Sequence, residues 1–259
     1  MSSSGYDIFS KWNLIFPGGD RLKEPNYGLD APGMVGGLAA AGVVGLVLGI
    51  VSSAKPDFPG ASLMRIGLWP GISCFLTAGV MFWSSKVGKF WVRDRMIGAL
   101  PWRGDERVLD VGCGHGLMLI GAAKRLKGGK AVGIDIWQSE DQYGNSPEAA
   151  MENARIEGVS DRIELKTADA RRMPFPDGSF DVIVSSYALH NIPDKAGRRK
   201  AVAEIARVLK PGGKLALVDI FHAGEYAGAL RDAGIREVRA SWPFPLFFLP
   251  TRIVTASKS

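Results

Sequence analysis

Cysteine is scarce. The 259 residues hold only Cys74, inside an apolar run, and Cys113, inside a glycine-rich loop, so no disulfide framework supports the fold. Runs of Lys and Arg interleaved with aromatic residues are also missing, and the net charge of +6 is modest, so nucleic acid is not an expected partner. There is no internal repeat and no low-complexity linker, and no metal site is expected. The +6 is unevenly placed. Residues 1–85 carry 5 basic and 5 acidic side chains, whereas residues 86–259 carry 27 and 21.

Charge is absent altogether from two long stretches, Ala31 to Ala54 and Ile66 to Ser85, the second bounded by Arg65 and Lys86. A helix of about 20 apolar residues crosses the hydrocarbon core of a bilayer. Trp69 and Trp83 stand near the ends of the second stretch, as interfacial anchors do. Pro70 and Gly71 would kink or fray its first turn. A cleaved signal peptide is disfavoured, because the first 30 residues are polar and the apolar run starts late and extends far. The alternative, two buried helices of a soluble protein, would ordinarily show some polar residue at this length. The expectation is therefore an N-terminal segment, 1–32, a two-helix transmembrane hairpin over 33–85 (helices at about 33–53 and 66–85), and a soluble domain over 86–259.

Gly33, Gly37, Ala41, Gly45 and Gly49 recur at every fourth position, a ridge of small residues that lets membrane helices approach closely. The expected partner is the second helix, across the Lys55–Met64 connection, with a homodimer through the ridge as the second option. Lys86, Lys89, Arg93 and Arg95 follow the second stretch, while the loop between the stretches has only Lys55 and Arg65. The positive-inside rule then places the C-terminal domain, and with it the N-terminal segment, on the cytoplasmic side. Basic residues beside a bilayer are also drawn to anionic lipid.

The soluble part opens with V-L-D-V-G-C-G-H-G, Val108 to Gly116. A buried strand ends in an acid, Asp110, and glycines follow at 112, 114 and 116. Such a turn lets backbone approach a ligand closely, and the next helix aims its free N–H groups at it. This is a nucleotide-type cofactor site of an α/β sheet. The spacing is G-x-G-x-G, whereas the dinucleotide fingerprint is G-x-G-x-x-G. A second apolar run, Lys130 to Ile136, carries Asp135 at its end, where a carboxylate can accept two ribose hydroxyls. A third, Ile163 to Thr167, precedes Ala168-Asp169-Ala170, an acid suited to an adenine amine. Phe180 to Ser186 reads as a fourth strand, and Leu209 to Asp219, L-K-P-G-G-K-L-A-L-V-D, as a helix stop, a turn at Gly212 and Gly213, and a fifth strand. Gly224 to Ala233 reads as a helix, and Ile235 to Ser241 and Arg252 to Ala256 as final strands. Between those lies W-P-F-P-L-F-F-L-P, Trp242 to Pro250, whose three prolines exclude a helix. Its apolar side chains suit an acceptor pocket, the bilayer surface or a hairpin loop folded onto the core.

In order and content these motifs resemble a class I S-adenosylmethionine-dependent methyltransferase of the type 11 group, over roughly Lys86 to Ser259. The resemblance implies a Rossmann-like, doubly wound α/β sheet of seven strands, order 3-2-1-4-5-7-6, with the last strand antiparallel. It implies S-adenosylmethionine as cofactor, with Gly112, Cys113, Gly114 and Gly116 against its methionine part and Asp110 below its amino group. Asp135 would hold the ribose, Ile136 would lie on the adenine, Asp169 would accept from the adenine amine and the Ala170 N–H would donate to the ring. Ser185 would line the floor near the methionine end. His115 stands where the family often has Thr or Ser. Cys113 reads as a small filler, since nothing nearby suggests a thiolate, and Asp219 as a strand end.

Methyl transfer depends chiefly on alignment and exclusion of water, and needs a base only where the acceptor starts protonated. Tyr187, His190 and Asn191 are placed for this role, His190 first, unless it merely bonds to backbone at a helix start. His222 ranks below them. The charge-free hairpin suggests a membrane and a small or lipid acceptor: a phospholipid head group, quinone, sterol or isoprenoid. The long insertion Trp137 to Ala149 reads as a surface loop or as a gate beside the adenosine, with Ser146-Pro147 starting a helix. Two other functions fit parts of the pattern. A non-catalytic binding scaffold would keep Asp110, Asp135 and Asp169. A nicotinamide-dependent reductase is opposed by the glycine spacing and by the lack of a Y-x-x-x-K pair.

Overall fold

The computed structural model describes residues 24–55, 67–138, 144–246 and 249–259. Residues 1–23, most of the connection between the apolar stretches, the centre of the Trp137–Ala149 insertion, and Phe247 and Phe248 lie outside the described residues.

The first apolar stretch is helix α1, Pro32–Ala54, with proline at its start, where a missing N–H costs nothing. The second is corrected. It forms α2, Leu68–Trp83, of 16 residues, which rises only about 24 Å and falls short of a hydrocarbon core of about 30 Å. A π-helical turn, Ser84–Gly88, carries it directly into α3, Lys89–Gly98. Among the described residues, α1 is thus the one helix whose length and composition alone suffice to cross a membrane.

The two helices pack as a hairpin, and the seam differs from the expected ridge. A methyl added to Gly45 would come within 2.6 Å of the Gly71 Cα, and one on Gly49 within 2.5 Å of Leu68. Gly42, not Ala41, meets Phe75, while Gly33 and Gly37 face open space. The buried positions 35, 42, 45, 49 and 52 are separated by threes, fours and sevens, the repeat that keeps one seam against a neighbour in a left-handed crossing; a strict four-residue ridge drifts off it.

Helix α3 leads into the α/β layers. Val92, Met96 and Ile97 are buried in the core of the domain. Strands β1 (Arg107–Val111), β2 (Lys130–Asp135), β3 (Ile163–Thr167), β4 (Phe180–Ser186) and β5 (Leu209–Asp219) are parallel. Between them run α4 (Leu117–Ala123), α5 (Pro147–Ile156) and α6 (Lys195–Val208), and α7 (Ala223–Asp232) follows β5. Three strands end the chain: β6 (Glu237–Ala240), β7 (Phe244–Leu246) and β8 (Leu249–Ser257). The sheet order is β3-β2-β1-β4-β5-β8-β6, with β8 antiparallel to both neighbours. This is the expected order with one strand added, since β7 pairs only with β8. The Trp242–Pro250 segment is therefore a hairpin folded onto the core, formed by β7 and the start of β8, with its prolines at an edge where no ladder N–H is needed. It packs on the start of α3: Phe244 meets Trp91 edge-on at 5.4 Å, and Leu246 covers Gly88.

A second correction concerns Pro211-Gly212-Gly213. It lies within β5 (Leu209–Asp219), yet pairing with β4 is lost across it, from Leu209 to Lys214, and Gly212 has φ 76°, so the chain is locally irregular there. Successive residues of each parallel strand point to opposite faces, so both faces carry a core. Val108, Leu119 and Met96 belong to the core on one side of the sheet and Leu109, Ile183, Ile205 and Leu230 to the other, all essentially without solvent exposure.

Candidate cofactor and acceptor site

The chain turns at the C-terminal ends of the parallel strands, where β1 gives way to α4. Gly112 and Cys113 donate to the Ile134 carbonyl at 2.8 and 3.1 Å, hooking the loop onto β2. Gly112 has φ 71° and no room for a side chain, since a Cβ would fall 2.2 Å from that of Ala188. Gly116, also left-handed, caps α4.

Around this loop lies a cleft of about 280 Å3, near the small end of ligand sites. Gly112, Cys113, Gly114, Asp135, Ile136, Asp169, Ala170 and Tyr187 all line it. The Asp135 carboxylate accepts from the Gly114 N–H at 2.9 Å, the Trp137 N–H at 2.7 Å and the Asn145 amide at 3.3 Å. Asp169 is paired with Arg171 at 2.6 Å, and hydrogen bonds from that guanidinium hold its carboxyl below the usual range. Burial pushes the Cys113 thiol well up, with Asp110 and Asp135 adding to it, so it is an inert filler.

Four expected residues stand elsewhere. Gly116 shapes the helix start without lining the cleft. Ser185 is buried and donates to the Val111 carbonyl at 2.7 Å, tying β4 to β1; its neighbour Ser186 lines the cleft instead. Asp110 lies beneath the loop, 1% exposed, with only the Leu119 N–H approaching its carboxylate and no well-formed hydrogen bond to either oxygen. Burial pushes its pKa up to about 8, against a smaller opposing pull from the Leu119 N–H. His190 is also outside the cleft lining. Its Nδ1 lies 3.1 Å from Asp219, which also accepts from the Tyr226 hydroxyl at 2.6 Å. Burial would raise the Asp219 pKa, but His190, Tyr226 and the Ile220 N–H together bring it below the ordinary value. Asp219 thus organises a His–Asp–Tyr network rather than merely ending a strand, and His190 is bonded to a carboxylate, not to backbone. Tyr187 adopts φ 50° at the end of β4, a conformation bulky residues seldom take. Burial raises its pKa, with Thr251 beside the phenol.

Among the lining residues that the sequence did not assign to the site are Tyr27, Asp30 and Lys89. Residues 26–30 form a strap across the domain. Asn26 and Asn153 exchange hydrogen bonds of 2.8 and 2.9 Å, and the Tyr27 hydroxyl donates to Glu157 at 3.0 Å. The Lys89 ammonium, 6% exposed, donates to the carbonyls of Tyr27 and Gly28 at 2.8 and 2.9 Å and lies 3.4 Å from Asp30. Arg93 is equally buried, beside Asp94 and over Gly121. Two of the four cations that the sequence assigned to topology are therefore internal.

The residues present fit S-adenosylmethionine. A buried carboxylate without a well-formed hydrogen bond lies under the glycine loop, in place for an ammonium, and two acids at adjacent strand ends suit a ribose diol and an adenine amine. Bound there, the cofactor supplies an electrophilic methyl group.

Comparison with known proteins agrees. Residues 109–217 match the family described as "Methyltransferase domain". The chain is 41% identical over 146 residues to 27-O-demethylrifamycin SV methyltransferase of Amycolatopsis mediterranei, covering 56% of this chain and 50% of that one. It is 39% identical over 118 residues to sterol 4-C-methyltransferase strm-1 of Caenorhabditis elegans (46% and 32%), and 35% identical over 118 residues to a demethylmenaquinone methyltransferase of Lactiplantibacillus plantarum (44% and 45%). The chain thus spans half the length or less of these relatives. The YcgJ protein from Bacillus subtilis shares the fold, with a TM-score of 0.52 at 21% identity over 64% of this chain and 97% of that one. Residues 109–217 are accordingly a methyltransferase domain with S-adenosylmethionine as its cofactor.

Proposed function

We propose that the whole chain is an S-adenosylmethionine-dependent methyltransferase held at a membrane by its N-terminal hairpin and acting on a small lipophilic acceptor. The observation that carries this reading is the direct continuity of hairpin and cleft. Apolar α2 runs through the π turn into α3, whose first residue, Lys89, lines the same cleft as the glycine loop. Val43, Val44, Val47 and Ile50 of α1 and Phe75, Leu76, Phe82 and Trp83 of α2 are exposed. An apolar surface of this extent calls for lipid or a partner. Here α1 is the helix long enough to cross a bilayer, and α2, packed along it, returns the chain to the domain.

The named sterol and demethylmenaquinone relatives favour a quinone, sterol or isoprenoid over a phospholipid head group. Within the cleft, Asp135 and Asp169 hold the nucleoside, Gly112 to Gly114 hold the methionine part, and Asp110 lies under its amino group. On the acceptor side Tyr187 orients the substrate, with His190, poised by Asp219, as the base. The exposed charges Lys86 and Arg95 support a cytoplasmic face for the domain. A non-catalytic scaffold is the second reading, favoured only by the engagement of His190 outside the cleft.

The test is a pair of measurements on the full chain. S-adenosylmethionine is titrated calorimetrically into detergent-solubilised protein, and a labelled methyl donor is supplied with extracted membrane lipids. Binding with label in the lipid fraction supports the enzyme. Binding with label only in water-soluble acceptors removes the lipophilic substrate, and no binding removes the function altogether. Release of the chain from membranes by alkaline carbonate would remove the anchor.

A further inference from the structure

The exposed apolar surface does not stop where the hairpin ends. Leu76, Val80, Trp83, Val87 and Trp91 are all exposed, and they recur every three or four residues through α2, the π turn and the start of α3. That spacing holds them on one side of a helix. The stripe runs about two turns past the end of α2 and reaches the methyltransferase domain. There Phe244 of β7 packs edge-on against Trp91 at 5.4 Å, and Trp242, two residues earlier, is 89% exposed. We propose that Trp83, Val87, Trp91 and Trp242 form an interfacial docking face, by which the domain lies on the head-group layer of an anionic leaflet instead of hanging free from α1. This rests on the membrane-anchored reading and specifies how the domain meets the bilayer.

Composition decides the partner. A solvated domain exposes single apolar side chains without consequence, but a contiguous stripe continuous with the outer face of α2 marks a surface that is covered. Tryptophan at the end of an apolar segment is the side chain of the membrane–water interface, where its ring stays apolar and its N–H meets the head groups. The cations fit the same place. Lys86 and Arg95 are exposed on the segment that carries the stripe, and the Arg95 guanidinium lies over the Trp91 ring, 5.6 Å from its centroid. Asp94, the exposed acid of that turn, is 2.7 Å from the buried Arg93. The local surplus is therefore positive, and its complement is a negative lipid surface. A second copy of the chain, meeting this one through the same patch, would bring its own Lys86 and Arg95 to the contact, where like charges oppose it.

Position ties the face to the reaction. Lys89, on the buried side of the same helical segment, lines the cofactor cleft. A helix is about 10 Å across, so a docked domain holds its cleft about that far from the head groups. A lipophilic acceptor then reaches the cleft without crossing bulk water, which would cost it the whole of its apolar transfer energy.

The experiment uses the full chain reconstituted into vesicles of phosphatidylcholine brominated high on the acyl chain, with or without phosphatidylglycerol. Bromine quenches tryptophan at short range, and the emission of each residue is read as wild type minus its Trp→Phe variant. Trp69 and Trp83 report insertion of the hairpin. Trp91 and Trp242 are expected to be quenched as well, whereas Trp137, which donates to Thr167 at 3.0 Å within the α/β domain, is not. Quenching of Trp242 should be stronger with phosphatidylglycerol. Lys86→Gln combined with Arg95→Gln should abolish that increase, each charge shifting docking about fivefold, while S-adenosylhomocysteine affinity stays within about twofold. Trp242 is nearly fully exposed, so its substitution tests the face even if Trp91→Phe, next to Phe244, disturbs packing. Quenching of Trp69 and Trp83 without Trp242 overturns the proposal, since the domain then stands off the bilayer. Protection of Trp242 that appears only with dimerisation overturns it in favour of a second copy, and quenching indifferent to phosphatidylglycerol and to the double variant overturns the anionic partner. Absence of quenching at Trp69 and Trp83 sinks the membrane-anchored reading itself, an outcome distinct from all of these.

Discussion

The hairpin and the α/β domain are both rich in apolar residues and place them in opposite ways. In the domain, Val108, Leu109, Leu119 and Ile183 are fully buried, and polar groups take the surface. In the hairpin the small residues Gly42, Gly45 and Gly49 face inward and the large ones, Val43, Val47 and Ile50, face out. A soluble domain gains by removing large apolar side chains from water. Helices in lipid have no such gain between them and associate through close backbone packing. On the proposed membrane-bound reading, the inversion from one region to the next reflects a change of solvent between hairpin and domain.

The contrast can be broken most directly by truncation in both regions. Leu109→Ala should destabilise the full chain by about 2–5 kcal/mol, since it opens a cavity in a rigid core. Val47→Ala, on the outer face of α1, should change stability in detergent by no more than about 0.5 kcal/mol. Denaturant titration in micelles measures both, and comparable costs would show that Val47 is covered by protein. The next largest effect separates the regions by function. Asp135→Ala removes the acceptor of three donors and should weaken S-adenosylhomocysteine binding roughly 10- to 100-fold. Retention of the chain in membranes should not change; a variant that also left the membrane would show that cleft and anchor fold as one unit.

Packing of the hairpin is sharpened by two alanines. Gly45→Ala drives a methyl to 2.6 Å from the Gly71 backbone and should cost about 1–3 kcal/mol. Gly37→Ala meets nothing within 4 Å and should gain up to about 1 kcal/mol of helix propensity. Hydrogen exchange of the α1 amides reads both. The reverse order would mean that the every-fourth-residue ridge, and with it a second copy of the chain, is the true partner surface.

Most of the domain was legible because parallel strands read as short apolar runs and each functional strand ends in a marked residue: Asp110, Asp135 and Asp169. The order of the sheet followed from the resemblance those motifs support. The second helix was misjudged because absence of charge sets where a helix can be apolar, not where its hydrogen-bond pattern changes, and the π turn at Ser84–Gly88 left no compositional trace. The strap was invisible for another reason. It is bound largely through backbone carbonyls, those of Asn26, Tyr27 and Gly28, and a carbonyl is the same in every residue. Lys89 and Arg93 were read as topological charges because burial of a cation depends on partners far away in sequence. His190 was read as a base or as bonded to backbone; its partner, Asp219, arrives from the next strand, a contact that sequence spacing does not reveal.

The smallest effect tests what lies under the glycine loop. With no cofactor, burial holds the Asp110 carboxyl at about 8, above its ordinary 3.8. The folded chain therefore keeps a proton that the unfolded chain releases, so stability should fall as pH rises from about 4 to about 8 and level off beyond. An ammonium placed above the carboxylate lowers its pKa again. Binding of S-adenosylhomocysteine near pH 6–7 should then release close to one proton, and affinity should rise by up to about tenfold per pH unit, flattening near pH 8. Calorimetry in two buffers of different ionisation heat counts that proton directly. Asp110→Asn should release none and should lose the pH dependence while gaining stability at pH 8, because an amide carries no charge to desolvate. If wild type releases no proton, Asp110 does not meet the cofactor's amino group, and its burial serves the loop alone.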